Sequence, residues 1–324
     1  MKILLIGPRP PPHGGISVHV SGIHQRLIAA GVQCVILDSS LITDRLRFVR
    51  ELASYAVCGW TLQVHTNGHN RNSWLLALLC GMAGRWNGGS SLTIHSGMMP
   101  GYLRTSPSWR RKLIGFVCRL YSQVICVGPA IQDAAISVGT LAERTELAPA
   151  SLAAESPDVP LDPQVLAWIQ LHQPVISTTL FFRPEYGFDL LIEGLARLRE
   201  RYPSIGCLVM GSGERRQQAE TLVRGAGLEN DVLLLGDVNH DICLALMRRS
   251  HVFVRPTLQD GDSMSVREAL ALGVPVVASR VGSRPPAVTL FHPGDVEDML
   301  SGIDLALAGN LRTGQSIQES CAST

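Results

Sequence analysis

The stretch QDGDSMSVREALALGVPVVAS, residues 259–279, contains in one piece the alternation on which the fold is built. An acidic loop of small residues leads into an apolar helix, which stops at Gly273 and Pro275 before a β-branched strand. Glycine just past a helix and proline shortly beyond it are common helix-stop signals. The predicted unit is therefore a loop, a helix, a turn and a buried strand.

The same alternation of short β-branched runs and helix-length segments recurs along the chain. We predict strands at 2–7, 34–38, 62–65, 91–95, 123–127, 174–178, 206–211, 231–236, 251–256 and 275–279. We predict helices at 16–30, 73–84, 108–122, 187–201, 214–226, 240–249 and 263–272. The strand runs are continuously apolar, as in parallel strands buried on both faces. This order predicts an α/β protein with doubly wound parallel sheets.

The pattern restarts after the stretch LAPASLAAESPDVPLDP, residues 147–163, which is rich in proline and small residues. We therefore predict two Rossmann-like domains, 1–150 and 172–310, with a linker at 151–171 and a polar tail at 311–324. Two such domains would face each other across a cleft. Ligands of such folds bind outside the carboxyl ends of the strands.

Composition narrows the classes of function. The 324 residues are 46% hydrophobic and 17% charged, which suits large cores, and the formal net charge of +1 argues against a dedicated nucleic-acid binder. Eight scattered cysteines without a CxxC pair suit a reducing cytoplasm. The apolar runs at the N-terminus and from Trp74 are too short for a signal sequence or a membrane span. A cytoplasmic protein is expected.

Two glycine-containing loops follow predicted strands. Gly14 and Gly15 open a helix, where backbone N–H groups can approach an anion closely. A plain turn between strand and helix explains them equally well. A dinucleotide-binding loop would read GxGxxG and would be followed by an acidic residue that binds the ribose. This loop lacks the glycine pattern, and only Asp38 lies near the position of that acid, so an NAD site is disfavoured. Gly211 and Gly213 in LVMGSGERR leave the same two alternatives open.

Three histidines lie near predicted strand ends. His95 in TIHSG could donate to a sugar hydroxyl or a phosphate, although a hydrogen-bonded structural histidine is the more common case. His65 and His69 in VHTNGH suggest a metal pair, but Gly68 between them disfavours a helix and no acid completes the set. No metal site is expected.

The acidic loop has a structural and a chemical interpretation. Ser265 and Glu268 have the spacing of a helix-capping box, in which Glu268 would only cap. Alternatively, the carboxylates of Asp260, Asp262 and Glu268 stand beside a helix N-terminus at a ligand site. One would accept from sugar hydroxyls and another from a ribose diol.

Taken together, these segments resemble the family 4 (group 1) retaining glycosyltransferases, which have the two-domain GT-B fold. RPTLQDGDSMSVREALALGVPVVAS follows the family's acid-x7-acid pattern, with Asp260 as the first acid and Glu268 as the second. RPEYGFDLLIEGLARLRERYPSIGCLVMGSGERR, GLENDVLLLGDV, VGSRPPAV and TLFHPGDVEDML match family segments in order and spacing. HGGISVHV and TIHSG fit the acceptor half more loosely. The likeness covers nearly the whole chain and is strongest over 174–300.

The resemblance implies roles for residues of the second domain. Glu268 would hold the donor ribose, and Asp260 would lie beside the transferred sugar as a catalytic residue. The backbone amides of Ser263 and Met264 would meet the diphosphate or the sugar. Gly211 would belong to the same donor site.

It also implies roles in the first domain, where Gly14 and Gly15 would approach the diphosphate and His95 would lie near the reacting centre or the acceptor. The usual proposal for the retaining reaction is attack on the front face of the sugar, with the leaving diphosphate helping to deprotonate the acceptor hydroxyl. The protein then contributes positioning and charge stabilisation. No cofactor and no bound metal are implied.

The sequence departs from the family at three places. Where the family offers Arg-x4-Lys to neutralise the diphosphate, this chain has Phe181 and Tyr186. Arg183 is our first candidate to replace them, ahead of Arg255 and Arg284. Aspartate stands at 260 in place of the commoner glutamate, and the chain stops soon after 310, so the C-terminal helix that crosses back to the first domain is expected to be missing or short. These departures favour low activity or an unusual donor.

The segment RTSPSWRRKLIGFVCRLYSQ predicts a basic helix with an apolar face. Its basic residues are Arg104, Arg110, Arg111, Lys112 and Arg119, and its apolar residues are Trp109, Leu113, Phe116, Val117 and Leu120. Such a helix could rest on an anionic membrane surface, or its apolar stripe could simply face the sheet. A peripheral contact with the inner membrane would suit a lipid-linked saccharide acceptor.

The predicted protein is thus a retaining glycosyltransferase that moves a sugar from a nucleotide-sugar donor to a saccharide or lipid-linked saccharide, as in bacterial envelope polysaccharide assembly. A nucleotide-sugar epimerase of the same fold is an alternative, whereas a phosphorylase would need a cofactor lysine for which no motif exists. The uncharged positions 181 and 186 also allow a non-catalytic, nucleotide-sugar-binding subunit.

Overall fold

The computed structural model describes residues 1–40, 45–85, 89–148 and 158–321, with side chains described up to 309 except at 45. Its internal contacts divide the chain into two compact units. The first unit comprises Met1–Leu152 with Asp260–Met264, and the second comprises Ala153–Gln259 with Ser265–Thr324.

The first unit is a doubly wound α/β unit with a six-stranded parallel sheet in the order β2-β1-β3-β4-β5-β6. Its strands are β1 Lys2–Gly7, β2 Gln33–Asp38, β3 Thr61–Thr66, β4 Ser90–Ile94, β5 Gln123–Cys126 and β6 Thr145–Leu147. Its helices are α1 Gly15–Ala29, α2 Arg45–Val57, α3 Arg71–Gly84, α4 Met99–Thr105, α5 Ser108–Arg119 and α6 Pro129–Ser137.

The second unit repeats this architecture with the sheet order β12-β11-β10-β7-β8-β9, again parallel. Its strands are β7 Val175–Thr179, β8 Gly206–Met210, β9 Val232–Gly236, β10 Val252–Arg255, β11 Val276–Ser279 and β12 Thr289–Phe291. Its helices are α7 Pro163–Leu171, α8 Phe188–Arg201, α9 Arg216–Gly225, α10 His240–Met247, α11 Met264–Ala271 and α12 Val296–Cys321.

The central strands form the cores because both of their faces are covered by helices. Leu4 and Leu5 of β1 point to opposite faces of the first sheet, and neither is exposed. Val175 and Ile176 do the same in the second sheet. This two-sided burial explains why the strands read as unbroken apolar runs. The predicted α/β class with two Rossmann-like sheets is confirmed.

α2, α4 and α6 are present although no helix was predicted there, and two further helices lie in ranges that were expected to be a linker and a tail. α12 runs on to Cys321 through the range expected to be a polar tail. Its sequence contains no proline that would remove a backbone hydrogen bond, so polarity alone does not end the helix. α7 lies within the range expected to be a linker, where Asp162 caps it by accepting from the Gln164 N–H at 2.8 Å. Proline at its first position favours that start.

The structure also shows the state of the cysteines and the lengths of the helices. Seven cysteines with described side chains are free, and of these only Cys58 is exposed. Among the described residues, no helix combines the length and the apolar character needed to cross a bilayer.

Candidate active site

The polar residues of the second unit collect where its strands end. β7 ends at Thr179, β8 at Met210 and β10 at Arg255. Since β7 lies between β10 and β8, the segments that follow these strands leave the sheet at one edge. In open α/β sheets this carboxyl edge is where ligands bind.

Glu268 is a buried carboxylate with one defined partner. It lies on α11 with only 5% of its surface exposed. Nε2 of His240, the first residue of α10, donates to Glu268 Oε1 at 2.8 Å. Burial alone would lower the pKa of His240, but the hydrogen bond and charge of Glu268, with the charge of Asp241, raise it above its ordinary value. The pair thus fixes the Glu268 carboxylate beside the first residue of α10.

This contact excludes one of the two interpretations of Glu268, and its role in a ligand site stays a prediction. Because α11 begins at Met264, Ser265 lies inside its first turn and is not the residue before the helix. The carboxylate of Glu268 bonds to His240 of another helix. The capping-box interpretation is therefore wrong.

Two arginines stack on the aromatic rings at the positions where the resemblance called for Arg and Lys. Phe181 and Tyr186 meet edge to face with their ring centroids 5.8 Å apart. Arg183 Cζ lies 5.8 Å from the Phe181 centroid, and Arg255 Cζ lies 5.1 Å from the Tyr186 centroid. These separations are those of cation–π contacts. We call these four residues the arginine–aromatic cluster.

The two arginines of this cluster differ in freedom. Arg255 is 9% exposed and donates from Nη1 to the Thr179 carbonyl at 2.5 Å, so it is held at the ends of two neighbouring strands. Arg183 is exposed. Gly187 has φ +68°, and a Cβ there would lie 2.0 Å from the Pro256 carbonyl oxygen. The loop that carries the aromatic rings therefore runs against the residue after Arg255.

The third candidate, Arg284, has a structural role. Its Nε donates to the Ser279 carbonyl at 3.2 Å and its Nη2 to Thr257 Oγ1 at 3.3 Å. These bonds tie the loop after β11 to the end of β10. They give Arg284 a role that needs no ligand.

Gly211 is required by a close approach of backbone. Its φ is +145°, and a Cβ would lie 1.7 Å from the Leu180 carbonyl oxygen. Its N–H donates to the Gly236 carbonyl at 2.7 Å. The close packing of the backbone after β8 thus accounts for this glycine without a ligand. Its place in a donor site stays a prediction.

In the first unit, Gly15 begins α1 and Gly14 precedes it. The Gly14 N–H donates to the Pro12 carbonyl at 3.0 Å and to the Ser17 hydroxyl at 2.9 Å. Nothing lies within 4 Å of a Cβ placed on Gly15. The open side of this helix start is therefore at Gly15, and an approach of Gly14 to an anion, which stays a prediction, would have to displace these bonds.

The segment Asp260–Met264 packs within the first unit. Asp260 Oδ1 accepts from the Gly261 N–H at 3.0 Å, and Ser263 and Met264 are buried. A Cβ on Gly97 would lie 1.7 Å from the Asp260 carbonyl oxygen. Asp260 thus lies next to the loop that follows His95, a contact that was not predicted from the sequence.

His95, just after β4, belongs to a histidine cluster with His65 of β3 and His19 of α1. His65 Nδ1 and His95 Nε2 are 3.1 Å apart and share a hydrogen bond. The His19 ring lies edge-on to both, with centroids 5.6 Å from His65 and 5.1 Å from His95. His69, the partner considered for His65, bonds instead to the Ser96 hydroxyl through Nδ1 at 2.9 Å.

Burial keeps this histidine cluster neutral. It is the main cause that lowers the pKa of His65 to about 3, with a smaller contribution from His19. Burial, followed by the charges of His65 and His19, holds the pKa of His95 well below its ordinary value. Burial and the charge of Arg26 lower the pKa of His19. Near neutral pH all three rings are imidazoles.

Helix α5 has an apolar face on each of two sides. Ile114, Val117 and Cys118 are buried, as expected for a helix that covers a sheet. Trp109, Leu113 and Phe116 are exposed by 62%, 41% and 47%. If the whole apolar stripe faced the sheet, all of its residues would be buried. Val117 fits this interpretation, but the exposure of Trp109, Leu113 and Phe116 does not.

Sequence reasoning missed three features of this site. It passed over His240, although this residue begins a predicted helix after a strand. It mentioned His65 only beside His69 and did not mention His19. For His65 and His95 a signal existed, because both end strands that are consecutive in the chain. Such strands are neighbours in a sheet about two times in three.

Residues 171–319 match the family model of glycosyl transferases group 1. The match covers most of the second unit. The gpi3 subunit of phosphatidylinositol N-acetylglucosaminyltransferase from Schizosaccharomyces pombe is 27% identical over 200 residues, which cover 59% of this chain and 43% of that protein. A GDP-mannose-dependent phosphatidylinositol monomannoside mannosyltransferase from Mycolicibacterium smegmatis is 29% identical, covering 39% of this chain and 35% of that protein. The chain spans less than half the length of these relatives.

Solved structures match the whole chain. Anabaena HepE in complex with UDP and glucose has a TM-score of 0.72 at 17% identity, with all of both chains covered. Sucrose-phosphate synthase from Thermosynechococcus elongatus has a TM-score of 0.71 at 18% identity, again with full coverage. The fold is that of the GT-B glycosyltransferases.

Proposed function

We propose that this protein transfers a glycosyl group, with retention of configuration, from a nucleotide sugar to a saccharide or lipid-linked saccharide in bacterial envelope polysaccharide assembly. The observation that carries this is the buried Glu268, fixed by His240 at the carboxyl edge of the second sheet inside the family-matched region. A buried carboxylate with a fixed orientation is suited to accept from the two hydroxyls of a ribose. Similar solved structures hold UDP and glucose, which supports a nucleotide-sugar donor.

The reaction needs positioning and charge stabilisation. In our assignment the diphosphate leaves as the acceptor hydroxyl attacks from the same face and gives up its proton to the diphosphate. The backbone amides of Ser263 and Met264, with Gly15 and Gly14, contribute donors toward these anions. Asp260 accepts from the transferred sugar, and His95, neutral at pH 7, hydrogen-bonds the acceptor or the reacting centre.

The arginine–aromatic cluster supplies the positive charge in place of the family's Arg and Lys. Arg255 is held in one orientation by Tyr186 and the Thr179 carbonyl, so little side-chain entropy is lost when it meets a diphosphate. Arg183 extends the positive charge to the exposed side of the cluster. Gly211, at the end of the neighbouring β8, completes the donor-binding residues at this edge.

Nucleotide binding tests the ribose role. We expect Glu268→Ala to weaken binding of the cognate nucleoside diphosphate at least tenfold in calorimetry, about 1.4 kcal/mol. The exposed Glu200→Ala on α8 is the matched control and should bind as the wild type does. Unchanged binding by a folded Glu268→Ala variant would remove the ribose role.

A comparison of nucleoside and nucleoside diphosphate tests the cluster. Arg183→Ala and Arg255→Lys should each weaken binding of the diphosphate while leaving the nucleoside unaffected, because the arginines meet only the phosphates. Arg248→Ala, exposed on the same unit, is the control. An equal loss for both ligands would point to a general disturbance of the site and contradict the phosphate role.

Turnover separates this function from a non-catalytic, nucleotide-sugar-binding subunit, which the aromatic residues at 181 and 186 favour. A panel of UDP-, GDP- and ADP-sugars should give transfer or slow hydrolysis with at least one donor. If one nucleotide binds and no donor turns over, the binding subunit is the correct assignment. Interconversion of free nucleotide sugars would identify an epimerase.

The exposed stripe of α5 supports a location at the cytoplasmic face of the inner membrane. Trp109, Leu113 and Phe116 are exposed, and Arg111 and Lys112 beside them favour an anionic surface. The triple change to serine at the three apolar positions should abolish sedimentation with vesicles rich in phosphatidylglycerol. Leu46→Ser, 79% exposed on α2, should not. Binding that is equal on neutral and anionic vesicles would contradict the charge argument.

A further inference from the structure

The histidine cluster brings three imidazoles together from three elements. His19 comes from α1, His65 from β3 and His95 from the residue after β4. One ring nitrogen from each residue lies within 4.8 Å of the other two. No carboxylate or cation belongs to the set, so the groups that converge are all nitrogen ligands.

The spacing approaches that of a metal site. Zinc bonds to imidazole nitrogen at about 2.0–2.1 Å, so two nitrogens of a tetrahedral site are roughly 3.3 Å apart. His65 Nδ1 and His95 Nε2 are already 3.1 Å apart. The widest separation in the cluster, at most 4.8 Å, would have to close by about 1.5 Å, which side-chain rotation of the partly buried His19 can supply.

Two nitrogens of the cluster lack a protein partner. His19 Nδ1 and His65 Nε2 are buried and make no hydrogen bond. Buried polar atoms are nearly always satisfied in native proteins, and an exception calls for an explanation such as an ion. An ion bound by His19 Nδ1, His65 Nδ1 and His95 Nε2 would account for the first of these two atoms but not for His65 Nε2. A neutral imidazole is also the form that binds a metal, because protonation removes the lone pair.

We propose that His19, His65 and His95 form a binding site for a divalent transition-metal ion of the zinc class. Three imidazole nitrogens leave the fourth position of a tetrahedral ion for water. The proton now shared between His65 Nδ1 and His95 Nε2 moves to the other nitrogen of the ring that carries it. Both lone pairs then face the ion, and no net proton is released.

The site bears on transfer without being required for it. While His95 holds the metal through Nε2, that nitrogen cannot hydrogen-bond a substrate. Metal occupancy and the proposed role of His95 therefore exclude each other wherever that role uses Nε2. The metal site itself is independent of the proposed function, since binding is measured without nucleotide or acceptor.

Cobalt and zinc titrations of the metal-free full chain test the site. Co²⁺ should give visible absorption bands of the intensity typical of a four-coordinate ion, and Zn²⁺ should abolish them at one equivalent. His19→Ala should weaken Zn²⁺ binding at least tenfold in calorimetry. His24→Ala, on the same helix and outside the cluster, is the matched control and should bind as the wild type does.

Three outcomes would overturn the proposal, two of them from the experiments above. One is the absence of Co²⁺ absorption together with no heat of Zn²⁺ binding to the wild type. The other is an equal loss in His19→Ala and His24→Ala. Because His65 is buried and its variants could fail to fold, His95→Gln provides the second ligand variant, with far-UV circular dichroism as the check on folding. It should also lose the Co²⁺ bands, and retention of them would contradict the site.

Discussion

The pair His240–Glu268 makes a prediction in which both size and pH dependence follow from the structure. His240→Ala removes the donor at 2.8 Å and leaves a carboxylate whose side chain is 7% exposed without that partner. A hydrogen bond that involves charged groups is worth about 1.5–3 kcal/mol, and the His240 side chain is only 29% exposed, so little of this is screened. We expect the second unit to lose about 2 kcal/mol of stability near pH 6.

The pH dependence has a definite sign. The folded pKa of His240 lies above its unfolded value, so the stability contributed by its charge is fully present below about pH 6.5. It is lost as the pH rises through the folded pKa. The difference in unfolding free energy between wild type and His240→Ala should therefore shrink from pH 6 toward alkaline pH.

Urea unfolding of both proteins over this pH range measures the effect. His292→Ala is the matched control, because its ring pairs with Asp298 at 2.6 Å but is 69% exposed, and it should cost no more than about 0.5 kcal/mol. A loss in His240→Ala that equals the control, or one that grows with pH, would refute the reasoning.

Three further variants have expected outcomes. Gly211→Ala should lower the free energy of unfolding in urea by more than about 2 kcal/mol, because the new Cβ would overlap the Leu180 carbonyl and the residue has a positive φ. Gly225→Ala has open space around it and should be neutral or slightly stabilising. Tyr121→Phe should cost about 1 kcal/mol, because its buried hydroxyl donates to the Ala77 carbonyl; no loss would show that the bond is not made in solution.

Much of the fold could be predicted from the sequence because buried parallel strands leave unbroken apolar runs. Every strand that was predicted is present within two residues of its expected ends. The two strands that were missed, β6 and β12, have three residues each and lie at sheet edges, where a short run carries too little pattern. The helical end of the chain was missed because its polar residues were given more weight than the absence of proline.

The site was less predictable, since its contacts depend on sheet order. Phe181 and Tyr186 could be recognised as a departure, but the sequence could not show that Arg255 lies on Tyr186. That contact requires β10 to be the neighbour of β7. A Rossmann-like strand order allows this neighbourhood, but it does not show which side chains touch. The contact between His65 and His95 was missed for a different reason. His69 is closer to His65 in the sequence and was therefore considered as its partner.

The stack of Arg255 on Tyr186 restricts how this protein can evolve. Replacing Tyr186 by lysine, the residue that the resemblance calls for, would remove the ring that orients Arg255 and would bring a second positive charge beside the guanidinium. Tyr186→Lys alone is therefore expected to be harmful. The effect of a change at position 186 then depends on the residue at position 255, which is 69 residues away in the chain.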